Sequence, residues 1–210
     1  MAAKDYLAQP MHNTGGAVLV LHPWWGLNAD VRAYCDRLAD KGFVALAPDL
    51  YDGAVTDDIA EAETLASALD ERVDAVRVAL SAAIEGMDVH CIDGRAVAVV
   101  GFSLGAFYAL DLSACHPALV DRVVLYYGAG PADFTKAQAT YLGHFAADDP
   151  YEPAENVAWL EGEMFAAGRD FTFHTYPDTG HWFAEPSRPD AYNEAADDLA
   201  WARTLAFLQG

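Results

Sequence analysis

Basic residues are what this sequence most lacks. Its 210 residues hold 12 lysines and arginines against 32 aspartates and glutamates, a formal charge of -20 at neutral pH. A field of that sign repels nucleic acid and anionic lipid headgroups, so neither is an expected partner. A polyanionic substrate would need a local basic patch. Cysteine is scarce too. Cys35, Cys91 and Cys115 are an odd number without metal-ligand or redox spacing, and His90-Cys91 finds no second pair to complete a metal site. No metal is expected. Cys35 and Cys115 sit among helix formers and read as small buried apolar residues, and a reducing cytoplasm is the expected compartment. The chain shows no secretory h-region near its start and no apolar run of membrane-spanning length. Linkers, repeats, low-complexity tracts and shifts in composition are also missing, which makes a single domain over residues 1–210 the expectation.

What the chain does have is alternation. "AVLVLH" at 17–22 is a short continuous apolar run, the pattern of a strand buried on both faces. In "NADVRAYCDRLADKG", Val31, Tyr34, Cys35 and Leu38 share one helical face, with Asn28 as N-cap and Gly42 after the last turn. "FVALAPDL" reads as the next strand. The Ala-, Glu- and Asp-rich stretch 57–87 reads as one or two helices capped by Asp57 or Asp58. A strand in "RAVAVVGF", a helix in "LGAFYALDLSACH" and strands in "RVVLYYG" and "ATYLGHFA" come next. A helix in "PAENVAWLEGEMFAAG", a strand in "FTFHTYP" and a helix in "DAYNEAADDLAWARTLAFL" follow. Strands alternating with helices imply right-handed crossovers. The expected fold class is α/β, a mostly parallel central sheet with helices on both faces.

Open parallel sheets gather reactive groups at the carboxyl ends of their strands. There the sequence places Gly101-Phe102-Ser103-Leu104-Gly105, a G-x-S-x-G corner with the strand before it and the helix after it that the motif requires. The glycines let neighbouring backbones close on a sharp turn. That turn lifts the Ser103 hydroxyl above the sheet. It also leaves the Leu104 N–H at a helix N-terminus, where donors are unpaired and negative charge is favoured. A serine needs a base to become a nucleophile. Among seven histidines, His12, His90 and His116 fall in loops or helix ends, His144 and His174 inside strands, and His22 reads as buried and structural. His181 follows a strand in the loop "DTGHWF" near the C-terminus and is the candidate base. Its orienting anion comes from Asp148 or Asp149, which adjacency alone does not separate, while Asp178 reads as a turn residue. The order Ser, Asp, His is that of the α/β-hydrolases. Pro23 has no N–H, so the second oxyanion donor beside Leu104 falls to Trp24. Trp25, Trp182 and Phe183 are candidates to wall an apolar substrate pocket.

Together, "HPWWGLNADVRAYCDRLADKGFVALAPDLYDG", "VGFSLGAFYAL", "GHFAADDPYEP" and "GHWFAEPS" resemble the dienelactone hydrolase family of α/β-hydrolases, from about Gly16 to the C-terminal helix. The resemblance implies an α/β-hydrolase fold and puts Asp149 in the place of the family's catalytic acid, with Ser103 and His181 as partners. Three departures stand out. The family uses a cysteine nucleophile where this chain has Ser103. It carries a glutamate where this chain has Pro23. It binds the substrate carboxylate with arginines, one of them where this chain has Glu185, and a negative charge there would repel a dienelactone carboxylate.

The reading is therefore a cofactor-independent serine hydrolase of small carboxylic esters, lactones or thioesters, acting through an acyl-enzyme on Ser103. Acyl transfer and perhydrolysis on the same three residues remain alternatives, as does a binding protein that keeps the fold. A homo-oligomer stays open. The inter-element loops are mostly short, which fits an uncovered pocket and small substrates.

Overall fold

The structure, a computed structural model, describes residues 5–210; the first four residues of the expected single domain lie outside them. The strands are β1 (Tyr6–Ala8), β2 (Gly16–Leu21), β3 (Phe43–Ala47), β4 (Val97–Phe102), β5 (Val120–Tyr126), β6 (Thr140–Ala146) and β7 (Phe171–Tyr176). The helices are α1 (Ala29–Asp40), α2 (Ile59–Asp70), α3 (Val73–Met87), α4 (Leu104–Cys115), α5 (Ala154–Ala166) and α6 (Glu194–Gln209). One seven-stranded sheet runs β1-β3-β2-β4-β5-β6-β7, and only β1 is antiparallel to its neighbour. This is the mostly parallel α/β architecture expected from the alternation of elements, in the α/β-hydrolase form that the resemblance implies.

The apolar runs are continuous because alternate residues of one strand serve opposite cores. Ala17, Leu19 and Leu21 of β2 pack with Leu80 and Ile84 of α3 and with Leu110 of α4. Val18 and Val20, one residue out of phase, join Val31 and Leu38 of α1 and Ala200 and Leu208 of α6. Each such valine, leucine or isoleucine, fully withdrawn from water, contributes about 1.5–3 kcal/mol. A strand with so much burial on both faces has its place only inside a sheet covered on both sides. β4 occupies the centre, with Gly101 opposite Leu21 of β2 and Leu125 of β5. The residue after β4 therefore emerges between the loops that follow β2 and β5, and that residue is Ser103.

Caps behave as the side-chain chemistry requires. Asn28 accepts from the Val31 N–H to start α1, and Asp58, rather than Asp57, accepts from the Glu61 N–H to start α2. The stretch 57–87 forms two helices. It breaks at Arg72, which leaves helical geometry while its guanidinium bonds the Leu50 carbonyl at 2.8 Å and Asp52 at 2.9 Å. β1 was absent from the expected elements because three residues carry no readable period; it is held by pairing with β3, Leu7 opposite Leu46. α6 begins at Glu194 rather than 190, because Asn193 takes the N-cap. Cys35 is buried as expected, but Cys115 is exposed, since it ends α4 on the solvent side of the helix. No helix among the described residues is long and apolar enough to cross a membrane.

Candidate active site

Ser103 stands at the turn from β4 into α4 with φ +49 and ψ -111, a backbone conformation that L-residues rarely adopt. Two backbone bonds hold it there: the Ser103 N–H donates to the Tyr126 carbonyl at 2.9 Å, and its carbonyl accepts from the Ala106 N–H at 2.8 Å. The flanking glycines are a steric necessity. A Cβ on Gly105 would run into the Leu21 carbonyl of β2, and one on Gly101 into the backbone of Gly105. The Ser103 side chain makes no capping bond to the helix, so its hydroxyl is free for another partner.

That partner is His181, on the loop between β7 and α6. Its Nε2 lies 2.9 Å from Ser103 Oγ, and its Nδ1 lies 2.7 Å from Asp149 Oδ2. The carboxylate can only accept, so Nδ1 carries the proton and Nε2 accepts from the serine hydroxyl. Asp149 is itself fixed: its Oδ1 accepts from the Tyr151 and Glu152 N–H groups, both at 2.9 Å. The Asp149 and His181 side chains are 2% and 5% exposed, so the pair is held away from competing water. Asp148 is exposed and reaches the site only through its backbone, which donates to the Thr179 carbonyl. Of the adjacent aspartates, it is Asp149 that meets the imidazole. An imidazole bridging a hydroxyl and a buried carboxylate is the arrangement by which a serine loses its proton as it attacks.

These groups open onto a cleft of about 260 Å³. Ser103 and His181 line it with Trp24, Leu104, Phe107, Tyr127, Tyr151 and Glu152. Leu104 is the first residue of α4, where an N–H has no intrahelical acceptor. The loop bearing Trp24 is pinned by His22, fully buried, whose Nδ1 lies 2.7 Å from the Pro23 carbonyl and whose Nε2 accepts from the Leu50 N–H at 3.2 Å. Burial pushes the His22 pKa down, keeping the ring neutral for that double role.

None of the three expected pocket residues lines the cleft. Trp25 is 1% exposed and packs on Trp182 with ring centroids 5.1 Å apart, under the Arg188 guanidinium at 3.9 Å. Successive residues of the turn point opposite ways, so Trp24 faces the cleft and Trp25 the core. Phe183 is wholly buried between Tyr127 and Tyr176. Trp182 lines a neighbouring cleft of about 470 Å³, which shares His181 and Tyr151 with the first.

Glu185 corrects a further expectation. It is 2% exposed, and its Oε1 accepts from the Tyr127 hydroxyl at 2.8 Å while its Oε2 has no partner. Burial pushes its pKa up to about 8, so at neutral pH it is mostly uncharged. It does not line the cleft of Ser103. The carboxyl group that does is Glu152, which the sequence reading passed over along with Phe107, Tyr127 and Tyr151. Only Tyr127 carried a usable signal, as the residue directly after β5.

Residues 3–210 match the Dienelactone hydrolase family. The chain is 28% identical to Protein usf of Aquifex pyrophilus, over 98% of this chain and 92% of that one. It is 31% identical to carboxymethylenebutenolidase 1 of Cupriavidus pinatubonensis, over 97% of this chain and 89% of the relative. A Klebsiella pneumoniae structure, solved under a provisional dienelactone hydrolase name, superposes with a TM-score of 0.83 at 27% identity, covering 97% of this chain and 91% of its own. With a family match over residues 3–210 and relatives that cover nearly the whole chain, the chain belongs to the dienelactone hydrolase family of α/β-hydrolases.

Proposed function

We propose that this protein is a serine hydrolase of small carboxylic esters, lactones or thioesters, working through an acyl-enzyme on Ser103. The observation that carries the reading is the unbroken hydrogen-bonded path from Ser103 Oγ through His181 to Asp149. As Oγ attacks the carbonyl carbon, His181 Nε2 takes the serine proton and Asp149 stabilises the resulting imidazolium. The oxyanion is held by the backbone N–H groups of Leu104 and Trp24, each such donor worth about 2.7–4 kcal/mol of barrier. When the C–O or C–S bond breaks, His181 returns the proton to the departing alcohol or thiol. It then removes a proton from water, whose hydroxide oxygen attacks the acyl carbon and releases the acid, and Ser103 regains its hydrogen.

The site needs no metal or organic cofactor for these steps. A cleft of about 260 Å³ suits short acyl groups better than long chains. The reading includes a cytoplasmic setting and small-molecule substrates rather than nucleic acid or membrane partners, in keeping with the net charge of -20. Ser103→Ala tests it. The variant keeps its circular dichroism spectrum and loses p-nitrophenyl acetate turnover by about 10³-fold or more. Turnover equal to that of the unaltered protein rejects the mechanism.

A further inference from the structure

The cleft of Ser103 differs from a carboxylate-binding pocket in the sign of its charge. No lysine or arginine stands among the described residues that line it, whereas Glu152 does. The Glu152 carboxyl is built in. Its Oε2 accepts from the Ala129 N–H at 2.6 Å, on the loop after β5, and its Oε1 is buried with no hydrogen-bond partner. Its own N–H is bonded by Asp149, so the backbone that positions the orienting aspartate also positions this second carboxyl. Burial raises its pKa and the Asp149 charge adds to that; Asn156, the Ala129 N–H and His181 act the other way by stabilising the charged form. The imidazole of His181 is already engaged by Asp149 and Ser103.

Glu185, which takes the sequence position where negative charge was expected to act, is turned into the core and held by Tyr127. Arg188 lies in the adjoining cleft, its guanidinium stacked over Trp25 at 3.9 Å and its Nη1 donating to the Asp57 carbonyl. Among the described residues, no lysine or arginine therefore offsets Glu152 within the cleft.

We infer that Glu152 makes this an anion-excluding hydrolase, one that takes neutral or positively charged substrates and refuses those with a carboxylate beside the reacting carbonyl. The inference rests on the proposed serine hydrolysis and adds the substrate class. At an effective dielectric constant of about 20, a like charge about 6–12 Å away slows capture by roughly tenfold to a hundredfold.

The experiment compares kcat/KM for p-nitrophenyl butyrate, mono-p-nitrophenyl succinate and p-nitrophenyl 4-(trimethylammonio)butyrate. A second series compares the acetyl esters of 4-hydroxybenzamide and 4-hydroxybenzoate, placing the charge on the leaving group. The unaltered protein is expected to prefer the neutral over the anionic member by about tenfold or more in at least one series. Glu152→Gln, which keeps the acceptor for Ala129, is expected to shrink that preference by about tenfold. Asp148→Asn removes one charge from the neighbouring cleft and is expected to leave the preference as it was. The inference is overturned if Glu152→Gln leaves both preferences intact, or if Asp148→Asn shifts them as much, because the discrimination would then come from the overall charge. Ser103→Ala separates the two failures. If it retains turnover, the serine mechanism itself is wrong; if turnover depends on Ser103 while the preferences ignore Glu152, only the substrate class is wrong.

Discussion

Replacing Glu185 by glutamine should change how stability depends on pH more than it changes stability at any one pH. In the folded chain the Glu185 carboxyl is fully enclosed and its pKa is pushed up to about 8 from an ordinary 4.5, mainly because burial penalises the charged form. Below the unfolded value both states hold the proton and the group is neutral to the balance. Between the two values the unfolded chain ionises freely while the folded chain does not, so folding loses stability as pH rises. The loss is complete once pH passes the folded value. The slope is about 1.4 kcal/mol per pH unit, which gives about 4 kcal/mol between pH 5 and pH 9 from this one side chain.

Glu185→Gln removes the titration. The amide can still accept from the Tyr127 hydroxyl, as Oε1 does at 2.8 Å. Its NH₂ would occupy the place of the unpartnered Oε2. There it costs about 1–3 kcal/mol at every pH unless a water fills the adjoining cavity of about 20 Å³. The offset is independent of pH; the slope is not. Asp121, Asp197 and Glu152 also have pKa values raised by burial, but both chains contain them and they cancel in the difference. Urea unfolding of the two proteins at pH 5, 7 and 9 reads the effect directly. The variant should gain on the unaltered protein by about 4 kcal/mol from pH 5 to pH 9, more than 1 M in the relative urea midpoint. An equal difference at pH 5 and pH 9 would falsify the assignment of a protonated carboxyl at this position.

Two further outcomes follow from the site and its corner. Asp149→Asn keeps the shape of the acid but removes the charge that holds the Nδ1 proton of His181, so kcat should fall by about 10²–10⁴-fold. Asp148→Asn should stay within about twofold, and equal losses in the two variants would contradict the pairing. Gly105→Ala puts a methyl against the Leu21 carbonyl and within 2.9 Å of the His22 carbonyl, backbone that cannot rotate away. It should cost about 3 kcal/mol or more and lower the melting temperature by several degrees, and an unchanged melt would show that β2 and α4 can separate without penalty.

Much of this architecture could be read before any coordinates, and the reason is the range of the forces involved. A strand buried on both faces writes itself as an uninterrupted apolar run, as Val97–Phe102 does. A nucleophile corner writes itself as a serine between glycines, because the crowding that excludes a Cβ at Gly101 and Gly105 comes from the turn itself and the strand beside it. His181 was identifiable by its place after β7. Choosing Asp149 over Asp148 needed the family resemblance, since only tertiary structure decides which of two neighbours turns inward. β1 was invisible because its stability lies in pairing with β3, forty residues on, and not in its own three residues.

The cleft wall escaped the sequence for a related reason that also bears on how the site works. Side-chain direction in a loop depends on φ and ψ at each step, and here those angles leave the common regions. Ser103 (φ +49), Tyr127 (φ +38) and Trp182 (φ +68) are all non-glycine residues in the left-handed half of backbone space, and all three lie at or beside the candidate site. Each such residue costs on the order of 1–3 kcal/mol, which persists only where surrounding packing over-determines it. Ser103 is held by Tyr126 and Ala106, and Tyr127 by the carbonyl of His144 and the carboxyl of Glu185. A place in a loop after a strand does not fix where a side chain points, so Trp25 and Phe183 were expected in a pocket that neither lines, and Tyr127 and Glu152, which line it, were passed over. Strain and legibility are separate: Ser103 is strained yet marked by its flanking glycines, whereas Tyr127, also strained, and its neighbours on the cleft wall carry no such motif. The same departures from regular geometry bring Tyr127 against His181, with ring centroids 5.0 Å apart, on the wall of the Ser103 cleft.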